Sequence, residues 1–139
     1  MADSNQLRVR LVTPDRILVD QTADAVEVPS KSGYIEVLFG HAPLLAEIGA
    51  GEVRLHGGES EGQRYFVARG FVEVLPERVT ILAETALHPD EIDPAEAQAE
   101  LQHGQELWDQ AGDDQAKYDE ANAVTRVAEE KIASAQGKH

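Results

Sequence analysis

The spacing of apolar residues changes once along this chain, and that change restricts its possible folds more than any other feature. In residues 1–88 apolar positions alternate with polar ones, as Leu7, Val9 and Leu11 do at the start. In residues 89–139 they recur every three or four positions. A period of two is typical of a strand with one buried face, and a period near 3.6 is typical of a helix. The sequence therefore predicts a β-sandwich domain over residues 1–88 and an antiparallel α-helical hairpin domain over residues 89–139.

Short apolar stretches with strand composition follow one another through the first half. They cover residues 7–11, 17–19, 26–28, 34–39, 52–56, 64–69, 71–75 and 79–84. The glycine-rich segment 57–62 predicts a flexible hairpin loop, and Pro76–Arg78 predicts a tight turn. Strands this short and this closely spaced favour an antiparallel sandwich or barrel. No segment between them is long enough for a crossover helix, which argues against a parallel sheet.

The second half carries helix start and stop signals. Asp93 followed by Pro94 predicts an N-cap and a first helical residue. Gly112 is expected to end this helix, and either Asp113 or Asp114 to cap the next one. Two apolar seams then predict the hairpin, one formed by Ala97, Leu101, Gly104, Trp108 and Ala111, the other by Tyr118, Ala121, Thr125, Ala128, Ile132 and Ala135.

Both seams are rich in alanine, which packs closely but buries little apolar area. We therefore expect the hairpin to be marginally stable and able to undock or extend. A hairpin that is simply docked and static is the alternative.

The charge of the chain restricts its partners. It has 26 acidic and 12 basic residues, a net charge of −14, and residues 89–139 hold 13 of the acids but only 4 of the bases. Repulsion from phosphates argues against nucleic acid and anionic lipid as partners. The first residues lack the pattern of a signal peptide, and no apolar run approaches the roughly 20 residues that span a bilayer. We expect no direct membrane insertion.

Motifs for catalysis are missing from the sequence. The five histidines are scattered, at positions 41, 56, 88, 103 and 139, and cysteine is absent. Serine never occurs in a GxSxG pattern, and neither GxxxxGK[ST] nor GxGxxG is present. These observations predict a chain with no catalytic residues, no metal site and no cofactor of its own.

One segment between two apolar stretches is unusual for a strand or an ordinary loop. It places a histidine beside apolar residues in a turn, which is a candidate contact surface on an acidic protein. The simpler interpretation is a tight turn followed by core leucines. The segment consists of Gly40, His41, Ala42, Pro43, Leu44 and Leu45.

The order of motifs along the chain resembles the epsilon subunit of rotary ATP synthases, the subunit called delta in mitochondria. The resemblance runs from about Leu7 to the C-terminus. Each motif is weak alone, but their order and spacing, followed by two helices, are specific. The motifs are residues 11–15, 26–29, 40–45, 51–55, 70–74, 79–84 and 91–97.

This resemblance implies a fold of about ten antiparallel strands followed by a helical hairpin. It also implies a non-catalytic central-stalk subunit that couples proton flow to ATP synthesis and regulates ATP hydrolysis. The implied partners are the gamma subunit, the membrane-embedded c-ring and, through the hairpin, the catalytic alpha/beta hexamer. The implied location is the cytoplasmic side of a bacterial inner membrane. Subunit contacts are expected at Gly40–Leu45, Gly70 and Phe71.

The sequence departs from the family pattern around the turn. Tyr34, Glu36 and Phe39 stand where the family usually has Glu, Gly and Pro, and Arg69 stands where a Gly often precedes Gly-Phe. We expect the fold to survive these changes while local loop geometry and ring contacts differ.

The nucleotide motif of ATP-binding members is also altered. Glu96 occupies the position of an arginine on the first helix, and Glu130 that of a second arginine on the next helix, where Arg126 does match. Two cations have become anions in an acidic region, which opposes phosphate binding. The sequence therefore predicts no nucleotide-binding site.

Two other functions stay open at this point. An ATP-sensing, epsilon-like regulator is one, and a nucleotide titration would distinguish it. An unrelated β-sandwich binding module is the other, although such modules usually cluster their aromatic residues and this chain disperses them.

Overall fold

The computed structural model describes residues 5–137, so the expectations for residues 1–4 and for His139 lie outside the described residues. The chain divides into two compact units between Leu87 and His88. The first contains the strands and the second contains the helices, as the change of apolar spacing predicts.

The first unit contains eight strands in the described residues. They are β1 (Leu7–Val12), β2 (Ile17–Ala23), β3 (Ala25–Ser30), β4 (Gly33–Leu38), β5 (Leu44–Glu47), β6 (Gly51–His56), β7 (Arg64–Leu75) and β8 (Arg78–Leu87). The expected count of about ten is therefore wrong. The sequence stretches also differ from the strands in two places: β5 was not predicted, and residues 64–69 and 71–75 form one strand, not two.

β7 stays continuous because its backbone bends without leaving the ladder. Arg69 has a φ of 63° and Gly70 a φ of 139°, yet β7 pairs with β8 from Phe66 to Leu75. On its other side β7 pairs first with β6, through residues 64–67, and then with β5, through residues 71–74. One continuous strand therefore pairs with β6 before Arg69 and with β5 after Gly70.

The strands follow the order β2-β1-β8-β7-β6-β3-β4, with β5 joined to β7. All pairs are antiparallel except β1 and β8, which run parallel with Arg8 opposite Arg78. The expectation of a purely antiparallel sheet is wrong for this pair. The intervening six strands make the crossover, so no helix is needed to bring the first and last strands together.

The strands of the first unit pack around one apolar core. In β1, Leu7, Val9 and Leu11 are fully buried while Arg8 is exposed, so the alternation in the sequence does mark the buried face. The core cluster draws residues from seven of the strands and from Ile48, which follows β5. Burial of this branched aliphatic surface is the main stabilising contribution in the first unit.

The second unit consists of two packed helices, α1 (Pro94–Asp109) and α2 (Gln115–Gln136). The Asp93 carboxylate accepts hydrogen bonds from the amides of Ala95 and Glu96, which confirms the predicted cap. Asp114, not Asp113, caps α2. α1 ends at Asp109, earlier than expected, and Gly112 lies in the connecting loop with a φ of 60°.

Small residues set the separation of the two helices. A Cβ atom at Gly104 would lie 2.4 Å from Oγ1 of Thr125, so only glycine permits this approach. Trp108, predicted in the seam, is instead 47% exposed and meets Tyr118 edge-on at 4.5 Å between ring centroids. Across the pair, Nζ of Lys131 lies 3.1 Å from a carboxylate oxygen of Glu100. The helices therefore meet through small side chains and one ion pair more than through large apolar ones.

Candidate subunit interface

The turn after β4 is fixed by backbone hydrogen bonds. Gly40 adopts a φ of 88°, which favours glycine. Its amide donates to the carbonyl oxygen of Pro76 at 2.7 Å, and the amide of His41 donates to that of Leu38 at 3.1 Å. This turn therefore lies against the turn between β7 and β8.

The His41 ring makes a hydrogen bond within its own turn. Nδ1 lies 2.6 Å from the carbonyl oxygen of Ala42, and the residue is half-buried. A carbonyl only accepts hydrogen bonds, so Nδ1 is the donor. Gly40, Ala42 and Pro43 are the exposed residues of the turn.

The two leucines that follow form the start of β5, and they are not core residues. Leu44 is 38% exposed and Leu45 is 71% exposed. Leu45 lies opposite Glu73 of β7, and Glu47 lies opposite Phe71. The interpretation of the turn as a lead-in to core leucines is wrong, because both side chains stay exposed: Leu45 projects from the outer face with Glu73, and Leu44 projects from the opposite face with Val74, at the end of the strand.

Gly70 and Phe71 lie on the neighbouring strand. Phe71 is 51% exposed and is a diagonal neighbour of Leu45, since the residues directly opposite are Glu47 and Glu73. Diagonal neighbours on one face are about 7–8 Å apart, within reach of long side chains. The structure thus brings two of the predicted contact residues, Leu45 and Phe71, onto one surface.

Phe71 begins an exposed apolar row that crosses four strands. It pairs with Leu82 of β8, which pairs with Val12 of β1, which pairs with Ile17 of β2. Paired residues project from the same face of a sheet, and Leu82 and Ile17 are 54% and 56% exposed. We call Phe71, Leu82, Val12 and Ile17 the apolar row. A shallow groove beside it is lined by Val12, Thr13, Pro14, Gly70, Phe71, Leu82, Ala83 and Glu84.

Three members of the apolar row were missed by reasoning from the sequence. The signal was a break in alternation: Leu82 lies between Ile81 and Ala83, where a polar residue is expected, and Val12 follows Leu11 in the same way. Such breaks mark strands that are apolar on both faces. Only the register shows that the breaks lie side by side.

A second feature of the first unit is a buried carboxylate. Glu52 of β6 is fully buried, with Oε1 3.2 Å from Nε of Arg54 and Oε2 2.5 Å from Nη1 of Arg64. Arg54 also lies 3.6 Å from Glu27, whose carboxylate contacts His56 at 2.6 Å. These ion pairs connect β3, β6 and β7, so we interpret the group as one that stabilises the sheet.

Tyr34, one of the departures from the family pattern, contributes to the same region. Its hydroxyl accepts a hydrogen bond from the amide of Glu52 at 2.9 Å. The guanidinium of Arg54 lies 5.7 Å from the centre of its ring, a cation–π distance. The substitution therefore adds local contacts around the buried carboxylate.

Within residues 5–137, no group of three or more His, Asp or Glu residues is placed to hold a metal ion. None of the described helices is long and apolar enough to cross a membrane. Burial raises the pKa of the Tyr65 hydroxyl, which donates to the Gln63 side chain at 2.7 Å.

The altered nucleotide motif lies on the two helices. Glu96 is exposed in the first turn of α1, Arg126 is exposed on α2, and Glu130 is half-buried on α2. The carboxylates thus stand on the helices where the resemblance places phosphate-binding arginines. The absence of nucleotide binding stays a prediction.

Comparisons with known proteins assign the family. Residues 6–89 match the family model described as the ATP synthase delta/epsilon chain, beta-sandwich domain. The ATP synthase epsilon chain of Koribacter versatilis is 45% identical over 98 residues, 70% of this chain and 67% of that one. The epsilon chain of Brucella anthropi is 37% identical over 101 residues, 73% and 75% of the two chains.

A solved structure has the same fold. A chain in the Euglena gracilis mitochondrial ATP synthase structure of OSCP, F1 and c-ring superposes with a TM-score of 0.78 at 19% identity, covering 94% of this chain and 81% of that chain. The family match and the curated relatives contradict the hypothesis of an unrelated binding module. The chain belongs to the delta/epsilon family of ATP synthase chains, as a non-catalytic epsilon-type subunit of the central stalk.

Proposed function

We propose that this chain binds the gamma subunit of its ATP synthase through the apolar row and contacts the c-ring through the turn formed by Gly40–Leu45. In this role it turns with the stalk, couples proton flow to ATP synthesis and regulates hydrolysis by the catalytic alpha/beta hexamer. The bacterial relatives support a location on the cytoplasmic side of an inner membrane.

The observation that carries this proposal is the apolar row itself. Phe71, Leu82 and Ile17 each leave about half of their surface exposed. Isolated exposed apolar residues are ordinary, but a contiguous row on one face is typical of a protein–protein interface. Large apolar side chains at the centre of such an interface contribute much of its affinity.

The turn supports the c-ring part of the proposal. Among the described residues Leu45 is the most exposed large apolar one, at 71%, and Ala42 and Pro43 close to it are also exposed. The hydrogen bond from Gly40 to Pro76 holds the turn in place. An exposed turn that is held by a backbone hydrogen bond presents a fixed surface to a partner, and we assign that surface to the c-ring.

Binding to purified gamma subunit tests the first contact. Phe71→Glu and Leu82→Glu place a charge in the apolar row, and each should weaken binding by at least about tenfold. Gln98→Glu adds the same charge on an exposed position of α1 and should leave affinity unchanged. Far-UV circular dichroism and the melting temperature verify that all three variants fold. Gamma binding by both row variants at wild-type affinity would remove the apolar row from this interface.

The turn needs a different measurement. Ala42→Glu with Pro43→Glu should leave binding to isolated gamma subunit intact while lowering ATP-driven proton pumping by the reconstituted complex, because both residues are exposed and lie outside the apolar row. If pumping per ATP hydrolysed is unchanged, the turn does not contact the ring.

The regulatory part depends on the helices. Deleting residues 89–139 should leave gamma binding intact, because the apolar row lies wholly in the first unit. The described part of α2 carries Lys117, Arg126 and Lys131 against four carboxylates, so electrostatic attraction to an acidic region of the hexamer is weak. Hydrolysis by the complex should therefore rise only modestly, and a large rise would show strong inhibition by the hairpin.

A further inference from the structure

Three arginines lie on the same outer face as the apolar row. Arg8 and Arg10 precede Val12 on β1 at two-residue intervals, and Arg78 of β8 lies directly opposite Arg8. Side chains two residues apart on a strand share a face and are separated by about 7 Å. The arginines therefore continue the surface of the apolar row toward the start of β1.

The protein neutralises these arginines only in part. Arg8 donates to the Asp20 carboxylate, with Nη2 at 2.7 Å. Nε of Arg10 is shielded from solvent, lies 4.0 Å from the same carboxylate, and finds no hydrogen-bond acceptor within residues 5–137. Arg78 makes no side-chain hydrogen bond or ion pair with the part of the chain that the structure describes. One carboxylate thus serves two of three guanidinium groups.

This arrangement is costly in the free protein. Like charges directly opposite one another on neighbouring strands are destabilising, and Arg8 and Arg78 are such a pair. A shielded guanidinium donor without an acceptor is also unfavourable. The chain as a whole carries a charge of −14, so it has many acidic side chains but does not use them here. Glu73 and Glu77, at the same end of the face, make no ion pair with these arginines among the described residues.

We infer that Arg10 and Arg78 bind carboxylates of the protein surface that covers the apolar row. The partner surface would be apolar where it meets Phe71 and Leu82, and acidic beside it, where it meets the start of β1. This inference rests on the proposed function, because it specifies the chemistry of the same partner contact. The apolar row would supply contact area, and the arginines would fix the register and attract the partner.

Charge reversal with a salt series tests the inference. Arg10→Glu and Arg78→Glu should each weaken binding to the gamma subunit about tenfold or more at low ionic strength. The difference from the wild type should shrink as salt is raised, because exposed charges are screened. Arg78→Gln, which removes the charge without reversing it, should show a smaller loss. Lys117→Glu makes the same change of charge on α2 and should bind as the wild type does.

Each outcome separates the inference from the proposed function. If the wild type binds the gamma subunit, the Phe71→Glu variant does not, and both arginine reversals bind normally at every salt concentration, the arginines have no role and the inference is wrong. If the wild type does not bind at all, the proposed partner itself is wrong. Melting curves of the variants establish that a loss of affinity is not a loss of fold. If a charge-reversal variant fails to fold, Arg78→Gln still measures how much the positive charge contributes to binding.

Discussion

Gly70 lies directly against the backbone of Leu82: a Cβ atom built on Gly70 would be 1.9 Å from the Leu82 carbonyl oxygen. The contact joins β7 to β8 at the position where β7 changes partner from β6 to β5. It also places Phe71, the next residue, opposite Leu82 in the apolar row. The φ of 139° at Gly70 is in a region that is essentially restricted to glycine.

Gly70→Ala should therefore be strongly destabilising. The methyl group meets a carbonyl oxygen that cannot move without breaking the β7–β8 ladder, and the backbone angle adds strain, so the loss should be about 3 kcal/mol or more. Urea unfolding followed by circular dichroism measures this. Gly40→Ala is the matched control: Gly40 also has a positive φ but nothing lies within 4 Å of its Cβ position, so its cost should be about 1 kcal/mol.

Arg69→Gly should stabilise the first unit. Arg69 has a φ of 63°, a left-handed conformation that costs about 1–2 kcal/mol for a residue with a Cβ. Glycine relieves this strain but adds entropy to the unfolded chain, which leaves a net gain of about 0.5–1 kcal/mol. The melting temperature should rise by a few degrees, whereas Arg69→Ala, which keeps the Cβ, should not raise it. An equal effect of both substitutions would point to the charge instead of the backbone.

Glu52→Gln should lower stability by about 2 kcal/mol, because it leaves two arginines without their buried counter-charge. The figure is below that of a wholly buried pair, since the side chains of Arg54 and Arg64 are 25% and 36% exposed and can regain water. Glu27→Gln provides the comparison, as Glu27 is 27% exposed and its loss should cost less than about 1 kcal/mol. Chemical denaturation of both variants measures which substitution lowers the free energy of unfolding more.

Tyr65 should make the first unit sensitive to alkaline pH. Burial raises the pKa of its hydroxyl above the ordinary 10.0 in the folded state, so the unfolded chain loses this proton first as pH rises. The stability that arises from this difference in the pKa of Tyr65 is fully present below pH 10.0 and is lost as pH rises through the folded pKa. Measured against pH, the stability difference between the wild type and Tyr65→Phe should shift in favour of the variant above pH 10. A constant difference would show that Tyr65 does not ionise in this way.

Millimolar ATP should not raise the melting temperature or change the fluorescence of Trp108. Glu96 and Glu130 stand where the resemblance implies arginines, so phosphate is repelled. A ligand at 100 times its dissociation constant would add about 2.7 kcal/mol of stability, which a thermal shift would detect. The variant with Glu96→Arg and Glu130→Arg measures whether those two positions are responsible. A clear shift in the wild type would favour the ATP-sensing alternative.

Local sequence determined most elements of this fold. The alternation of Leu7, Val9 and Leu11 identified a strand and its buried face, because side chains alternate across a strand whatever it pairs with. Asp93 and Pro94 identified a helix start, because a cap acts on amides two or three residues away. The order of motifs was enough to indicate the family. These signals depend on neighbours in the chain.

Only the tertiary structure decided what depends on partners distant in sequence. The parallel pairing of β1 with β8, the continuity of β7 through Arg69 and the exposure of Leu44 and Leu45 follow from which strands lie side by side. The apolar row is the clearest case, since its members are separated by up to 70 residues in the sequence, from Val12 to Leu82, and only the register aligns them. Strand pairing is a long-range choice made by burying one common core, so a sequence pattern predicts the strands but not the surface they form together.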